Sequence, residues 1–111
     1  MVENRFQIIF LKEAREFILE IDYKAKSKIQ LTLKKALLSN DVSCFKKIDQ
    51  DIWEFRTKFK RMQYRLFAFW DKRDSLNTLV ICTHGIIKRR SKIPRKEIDK
   101  ARNTKREYFS H

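Results

Sequence analysis

The chain has 111 residues, enough for one domain with a single hydrophobic core and too few for two that would each bury a stable interior. Its 42% hydrophobic content, nine Phe and two Trp exclude wholesale disorder. Lys and Arg total 27 against 14 Asp and Glu, a formal charge of +13, which exceeds what solubility requires and calls for a polyanionic partner: nucleic acid, an anionic membrane surface or an acidic protein.

The opening run Arg5-Phe6-Gln7-Ile8-Ile9-Phe10 is short, β-branched and aromatic, and predicts a buried strand. Leu11, Ala14, Phe17, Ile18 and Ile21 then recur at three- and four-residue steps, followed by Ala25, Ile29, Leu33, Ala36 and Leu37, the spacing of amphipathic helices. One straight helix over residues 11–38 would run about 40 Å, longer than a domain of this size is wide. A break near Asp22-Tyr23 and a helical hairpin are therefore expected. Ser39-Asn40-Asp41 supply turn residues to end the second helix.

From Cys44 onward the period becomes two. Trp53, Phe55, Thr57 and Phe59 make a mainly apolar face, while Glu54, Arg56, Lys58 and Lys60 point the other way, the pattern of a half-buried strand. From Met62 to Asp71 both alternating sets are largely apolar, which predicts a central strand covered on both sides. Lys72-Arg73-Asp74-Ser75 is a polar connection, and Leu79-Val80-Ile81-Cys82-Thr83 reads as a further buried strand leaving through His84-Gly85. Consecutive strands with short links imply an antiparallel meander. Pro94 fits the first turn of a last helix, in which Ile98, Ala101, Lys105 and Tyr108 share one stripe. The basic run Lys88-Arg89-Arg90-Ser91-Lys92 is the sharpest change of composition. Residues 1–111 are expected to form a single α+β domain.

Cys44 and Cys82 are too few and too unpatterned for a disulfide scaffold or a zinc site and read as buried free thiols. No metal or cofactor is expected. Glu3, Arg5, Lys12 and Glu13 interrupt any apolar stretch of signal-peptide length, and no segment reads as a membrane span. The cytoplasm is the expected location.

Four local motifs stand in order over the last sixty or so residues: Trp53-Glu54-Phe55-Arg56, Tyr64-Arg65-Leu66-Phe67, Thr83-His84-Gly85-Ile86-Ile87-Lys88, and the helix start Lys92-Ile93-Pro94-Arg95-Lys96-Glu97-Ile98-Asp99-Lys100-Ala101. With the helical hairpin before them, they make the chain resemble the RelE/ParE toxin superfamily of type II toxin–antitoxin systems, in particular its HigB-like, phage-associated branch. The resemblance implies a RelE-like fold: N-terminal strand, helical hairpin, antiparallel sheet and C-terminal helix. One position departs from the pattern: relatives tend to carry a potentially capping Thr before the proline, where this chain has Ile93.

The activity implied by the resemblance is cleavage of messenger RNA, in many relatives on the ribosome, with an antitoxin protein that covers the basic face. Without a metal, the ribose 2′-hydroxyl attacks the adjacent phosphate, so the site must take up a proton, stabilise a pentavalent phosphate and protonate the leaving oxygen. Arg and Lys suit the second task. Arg65 matches the Tyr-Arg-Leu motif; on a central strand it either grips phosphate or is held in an ion pair, with Glu54 a candidate partner. On the first reading, Arg65→Ala abolishes cleavage and leaves the fold intact. Arg56 lies on the polar strand face beside Arg65, and Lys88 opens the basic loop; both are candidate catalytic residues that contact the RNA. Lys58, Lys60 and Arg61 are either RNA contacts or a solvated surface, and Arg89, Arg90 and Lys92 suit electrostatic steering.

His84 is a candidate acid or base because its ordinary pKa is near neutrality, and it can equally be a satisfied structural residue. Tyr108 could stack on a base, but its helical stripe favours packing. Glu54 looks exposed; orienting Arg56 or Arg65 suits it better than acting as a base, since a carboxylate among many cations is a poor proton acceptor. The competing readings are a ParE-like topoisomerase inhibitor that cuts nothing and a non-catalytic RNA-binding module. The cluster of strand cations favours the nuclease.

Overall fold

The computed structural model describes residues 5–89 and 92–111. Strands β1 (Gln7–Phe10), β2 (Phe45–Lys47), β3 (Trp53–Phe59), β4 (Met62–Asp71) and β5 (Leu79–Lys88) form one sheet in the order β1-β5-β4-β3-β2. Helices α1 (Lys12–Glu20) and α2 (Tyr23–Leu38) pack on one face, and α3 (Arg95–Phe109) lies on the other. The class is α+β, compatible with the RelE-like fold. Strands β2 to β5 pair antiparallel, as their short links require, whereas β1 joins β5 in parallel. Among the described residues no helix is long and apolar enough to cross a membrane.

At the sheet edge, β1 has Gln7 and Ile9 exposed and Ile8 and Phe10 packed toward the helices. The buried strand expected from its composition is thus only half-buried, because one face stays uncovered. The helical break falls at Ile21-Asp22, where the Asp22 carbonyl accepts the Lys26 N–H at 2.9 Å. Ala14, Ala25 and Ile29 are buried with Phe55, Leu66, Ala68, Val80 and Cys82 in the core beneath both helices. Arg5 closes the far end of α2: its backbone N–H reaches the Leu37 carbonyl at 3.0 Å and its guanidinium the Ala36 carbonyl at 3.1 Å. A cation is favourable there because helix C-terminal carbonyls lack partners and carry partial negative charge. The short β2, unassigned in the sequence, brings Phe45 onto Phe55 with ring centres 4.2 Å apart.

On the opposite face, Phe67, Phe69 and Ile81 pack with Ile98 and Ala101 of α3. Pro94 takes the capping position without a side-chain bond, so the missing hydroxyl at Ile93 is not replaced; the Glu97 N–H reaches the Pro94 carbonyl at 3.0 Å. Electrostatics anchor the rest of the helix. Arg95 and Arg102 reach Asp49 at 2.8 and 3.2 Å, Lys105 reaches Asp51 at 2.7 Å, and the Tyr108 hydroxyl donates to buried Asp71 at 2.7 Å. Tyr108 also packs on Phe69, the packing role favoured by its stripe. Arg73 and Tyr108 together hold the Asp71 carboxyl well below the usual carboxylate range.

The fourth strand has the predicted limits; the fifth does not stop at Thr83 but runs on to Lys88. A bulge makes this possible: Phe67 pairs with His84 and Ala68 with Cys82, leaving Thr83 as the extra residue. One turn of the zigzag further, Phe17 of α1 lies directly over Gly85, where a Cβ would stand 2.4 Å from its ring. Gly85→Ala is therefore expected to cost about 1–3 kcal/mol through overpacking. Urea denaturation checks this, and unchanged stability would mean that Phe17 shifts freely.

Two residues, Lys60 and Arg61, join β3 to β4 between the paired Phe59 and Met62. Their φ values are 49° and 66°. Positive φ at both central positions is the geometry of a type I′ hairpin, which favours Asn-Gly. A residue with a Cβ in this region costs roughly 1–2 kcal/mol.

Candidate nucleic-acid interface

Alternation along the three central strands turns Glu54, Arg56 and Lys58, then Gln63, Arg65 and Phe67, then His84, Ile86 and Lys88 toward the α3 side of the sheet. Register arranges them in three cross-strand rows. Glu54, Phe67 and His84 form the row beneath α3; Arg56, Arg65 and Ile86 form the next; Lys58, Gln63 and Lys88 form the row nearest the hairpin. In that last row Lys58 is exposed and Gln63 and Lys88 are half-buried. Lys58 and Lys88 flank Gln63 at two strand spacings, about 10 Å, near enough for their long side chains to converge on one phosphodiester.

Below this surface is a buried ion cluster. Glu54 is 0% and Arg65 1% exposed. Arg65 Nη1 donates to both oxygens of Glu54, 2.6 Å from Oε1, and Nη2 donates to Gln63 Oε1. Arg56 Nε donates to Glu54 Oε1 at 3.2 Å, and its side chain remains 22% exposed. Glu54 is therefore not the surface residue its alternation suggests, because its neighbours on that face, Ile52 and Phe67, belong to the apolar layer under α3. A carboxylate in such a place requires partners, and it has two arginines. Arg65 is held in an ion pair with Glu54, and Glu54 touches both cations it was expected to orient.

His84 is also buried. Its Nε2 faces Glu97 Oε1 at 3.1 Å, and its Nδ1 lies 2.8 Å from Thr83 Oγ1. A carboxylate only accepts, so Nε2 carries the hydrogen and Nδ1 accepts from the Thr83 hydroxyl. Burial lowers the His84 pKa more than the Glu97 carboxylate raises it, which keeps the ring neutral with both nitrogens satisfied. Glu13, Glu97 and Lys100 are the charged groups around it. Since the folded value lies below the ordinary 6.5, the unfolded chain binds the proton more readily. Stability should be full above about pH 6.5 and fall as pH drops through and below it. Urea midpoints measured from pH 7.5 down to 5, above the ordinary carboxylate range, should decline for the wild type and stay flatter for His84→Gln; identical slopes would remove His84 as the cause.

The remaining cations separate in space. Lys60 and Arg61 project from the hairpin, Arg89 and Lys92 are exposed beside β5 and α3, and Arg90 lies outside the described residues. Three further residues join the site without a prior signal from motifs. Gln63 lies between the two lysines and accepts from Arg65. Lys28 and Lys35 of α2 line a cleft of about 420 Å³ with Arg56 and Lys58; their seven-residue spacing, which puts both on one helix face, was the available clue. The arrangement brings together cations of a kind suited to phosphate, one of them paired with a buried carboxylate.

Residues 14–106 match the family described as Phage derived protein Gp49-like (DUF891). Comparison with curated proteins finds no match.

Proposed function

Because the chain belongs to the Gp49-like family of phage-derived proteins, a RelE-like toxin family, we propose that it is the toxin of a type II toxin–antitoxin system and acts as a metal-independent, ribosome-dependent messenger RNA endonuclease. The observation that carries this reading is the uncovered surface on which Arg56, Lys58 and Lys88 surround Gln63. In the reaction the ribose 2′-oxygen attacks the neighbouring phosphorus and the bond to the 5′-oxygen breaks, giving a cyclic phosphate and a 5′-hydroxyl end. Arg56 and Lys88 hold the non-bridging oxygens as negative charge builds on them. Arg56 can use its terminal amino groups because its Nε is committed to Glu54. Arg65 acts as a positioning residue behind that carboxylate, and His84 is left a packing role under α3. An antitoxin neutralises the toxin by covering the same cations.

The test is induction of the chain in a bacterium with mapping of message ends. Codon-spaced cuts bearing 5′-hydroxyl groups are the expected result. Intact messages with DNA-damage signalling would replace this reading with topoisomerase inhibition, and RNA binding without cuts would leave a non-catalytic module.

A further inference from the structure

We propose that the β3–β4 hairpin tip, Lys60 and Arg61, docks on the phosphate backbone of paired RNA, beside and separate from the surface that holds the strand being cut. The proposal rests on the nuclease reading above and names a second RNA contact for it. Both tip residues hold positive φ in a two-residue turn whose geometry suits Asn-Gly. Long cationic side chains there work against the local backbone, and residues held in this region concentrate at functional sites. Both are exposed, and among the described residues neither enters an ion pair.

The chemistry of the tip selects the partner. Proteins that hold single strands without sequence preference combine a basic groove with aromatic rings on which bases stack, and the convex tip offers neither. The one ring within residues 58–63, Phe59, packs against the core and carries Lys60 Nζ 5.3 Å from its centre. Protein partners bury apolar anchors, yet none of the large exposed hydrophobic residues falls within residues 58–63. Two adjacent, unpaired cations on a convex tip suit successive phosphates of a duplex, whose wide, shallow minor groove in A-form RNA leaves them accessible. The Lys58–Gln63–Lys88 row begins immediately inward of the Phe59–Met62 pair, so a duplex held at the tip lies next to the site of cutting.

The experiment replaces the tip with the residues its backbone favours. Lys60→Asn combined with Arg61→Gly is expected to raise the thermal midpoint while weakening binding of an RNA duplex of about 20 base pairs roughly tenfold, with the salt slope shallower by about 2. Lys60→Gln combined with Arg61→Gln keeps the backbone strain and should lose the same affinity without the gain in midpoint. Wild-type duplex affinity in both variants overturns the proposal, as does equal loss on duplex and single-stranded RNA, or loss confined to an acidic protein partner. Message cleavage by the wild type is scored separately. Tip-dependent duplex binding without cleavage upholds the docking site and sinks the nuclease reading, whereas cleavage with tip-independent binding does the reverse.

Discussion

Glu54→Gln is expected to lower the folding stability by about 3–5 kcal/mol, the cost of leaving a buried cation without its counter-charge. Arg65 is 1% exposed and donates from Nη1 to both Glu54 oxygens, so the amide leaves it a neutral partner in place of an anion. For a domain of this size the thermal midpoint should fall by more than about 10 °C. The same pairing changes the expectation for Arg65→Ala: loss of cleavage in that variant would come with a damaged fold, because Glu54 would then be a buried anion served only by the more distant Arg56 Nε. Glu54→Leu with Arg65→Met, which removes both charges at similar volume, is expected to recover most of the stability. Calorimetry on the two single variants and the double variant decides the matter; a loss below about 1 kcal/mol for Glu54→Gln would mean that water reaches the pair. Cleavage by the refolded double variant then reports on positioning, and a reduced rate with unchanged substrate binding is the outcome expected if Glu54 holds Arg56 in place.

The fold was largely legible because its signals were periodic. The change of period after Cys44 located β3, and the two-sided apolar pattern from Met62 to Asp71 gave β4 its limits. Two features escaped for physical reasons. A bulge breaks alternation, so the apolar run ending at Thr83 concealed the continuation of β5 to Lys88. Three-residue β2 is too short to show a period, and pairing with β3 defines it. Within the site, register between Arg56 and Arg65 followed from alternation, but depth did not. Whether a polar strand position faces water depends on what lies above it, and the packing that buries Glu54 and His84 is a tertiary fact. Gly85 is similar: its motif marked it, and only the approach of Phe17 explains it.

Arg56→Ala and Lys88→Ala should each reduce message cleavage by about 10²–10³-fold, the usual effect of removing one donor from a developing oxyanion, with the fold preserved. Stability is spared because Arg56 is partly exposed and its removal leaves Glu54 paired with Arg65. Lys88 ends its strand half-buried and in no ion pair among the described residues, where truncation usually changes stability by no more than about 0.5 kcal/mol. Arg56→Lys keeps the charge and gives up the planar fork, so its rate should fall between wild type and Arg56→Ala. Cleavage rates on a translated message, read beside thermal midpoints, test the set. Wild-type cutting by either alanine variant would remove that residue from phosphate stabilisation. The contrast with Arg65 is the physical point: on one sheet face, three cations in two adjacent rows differ in how much of their charge a carboxylate has already taken. Arg65 is paired with Glu54 through Nη1, Arg56 commits one nitrogen to the same carboxylate, and Lys88 enters no ion pair among the described residues.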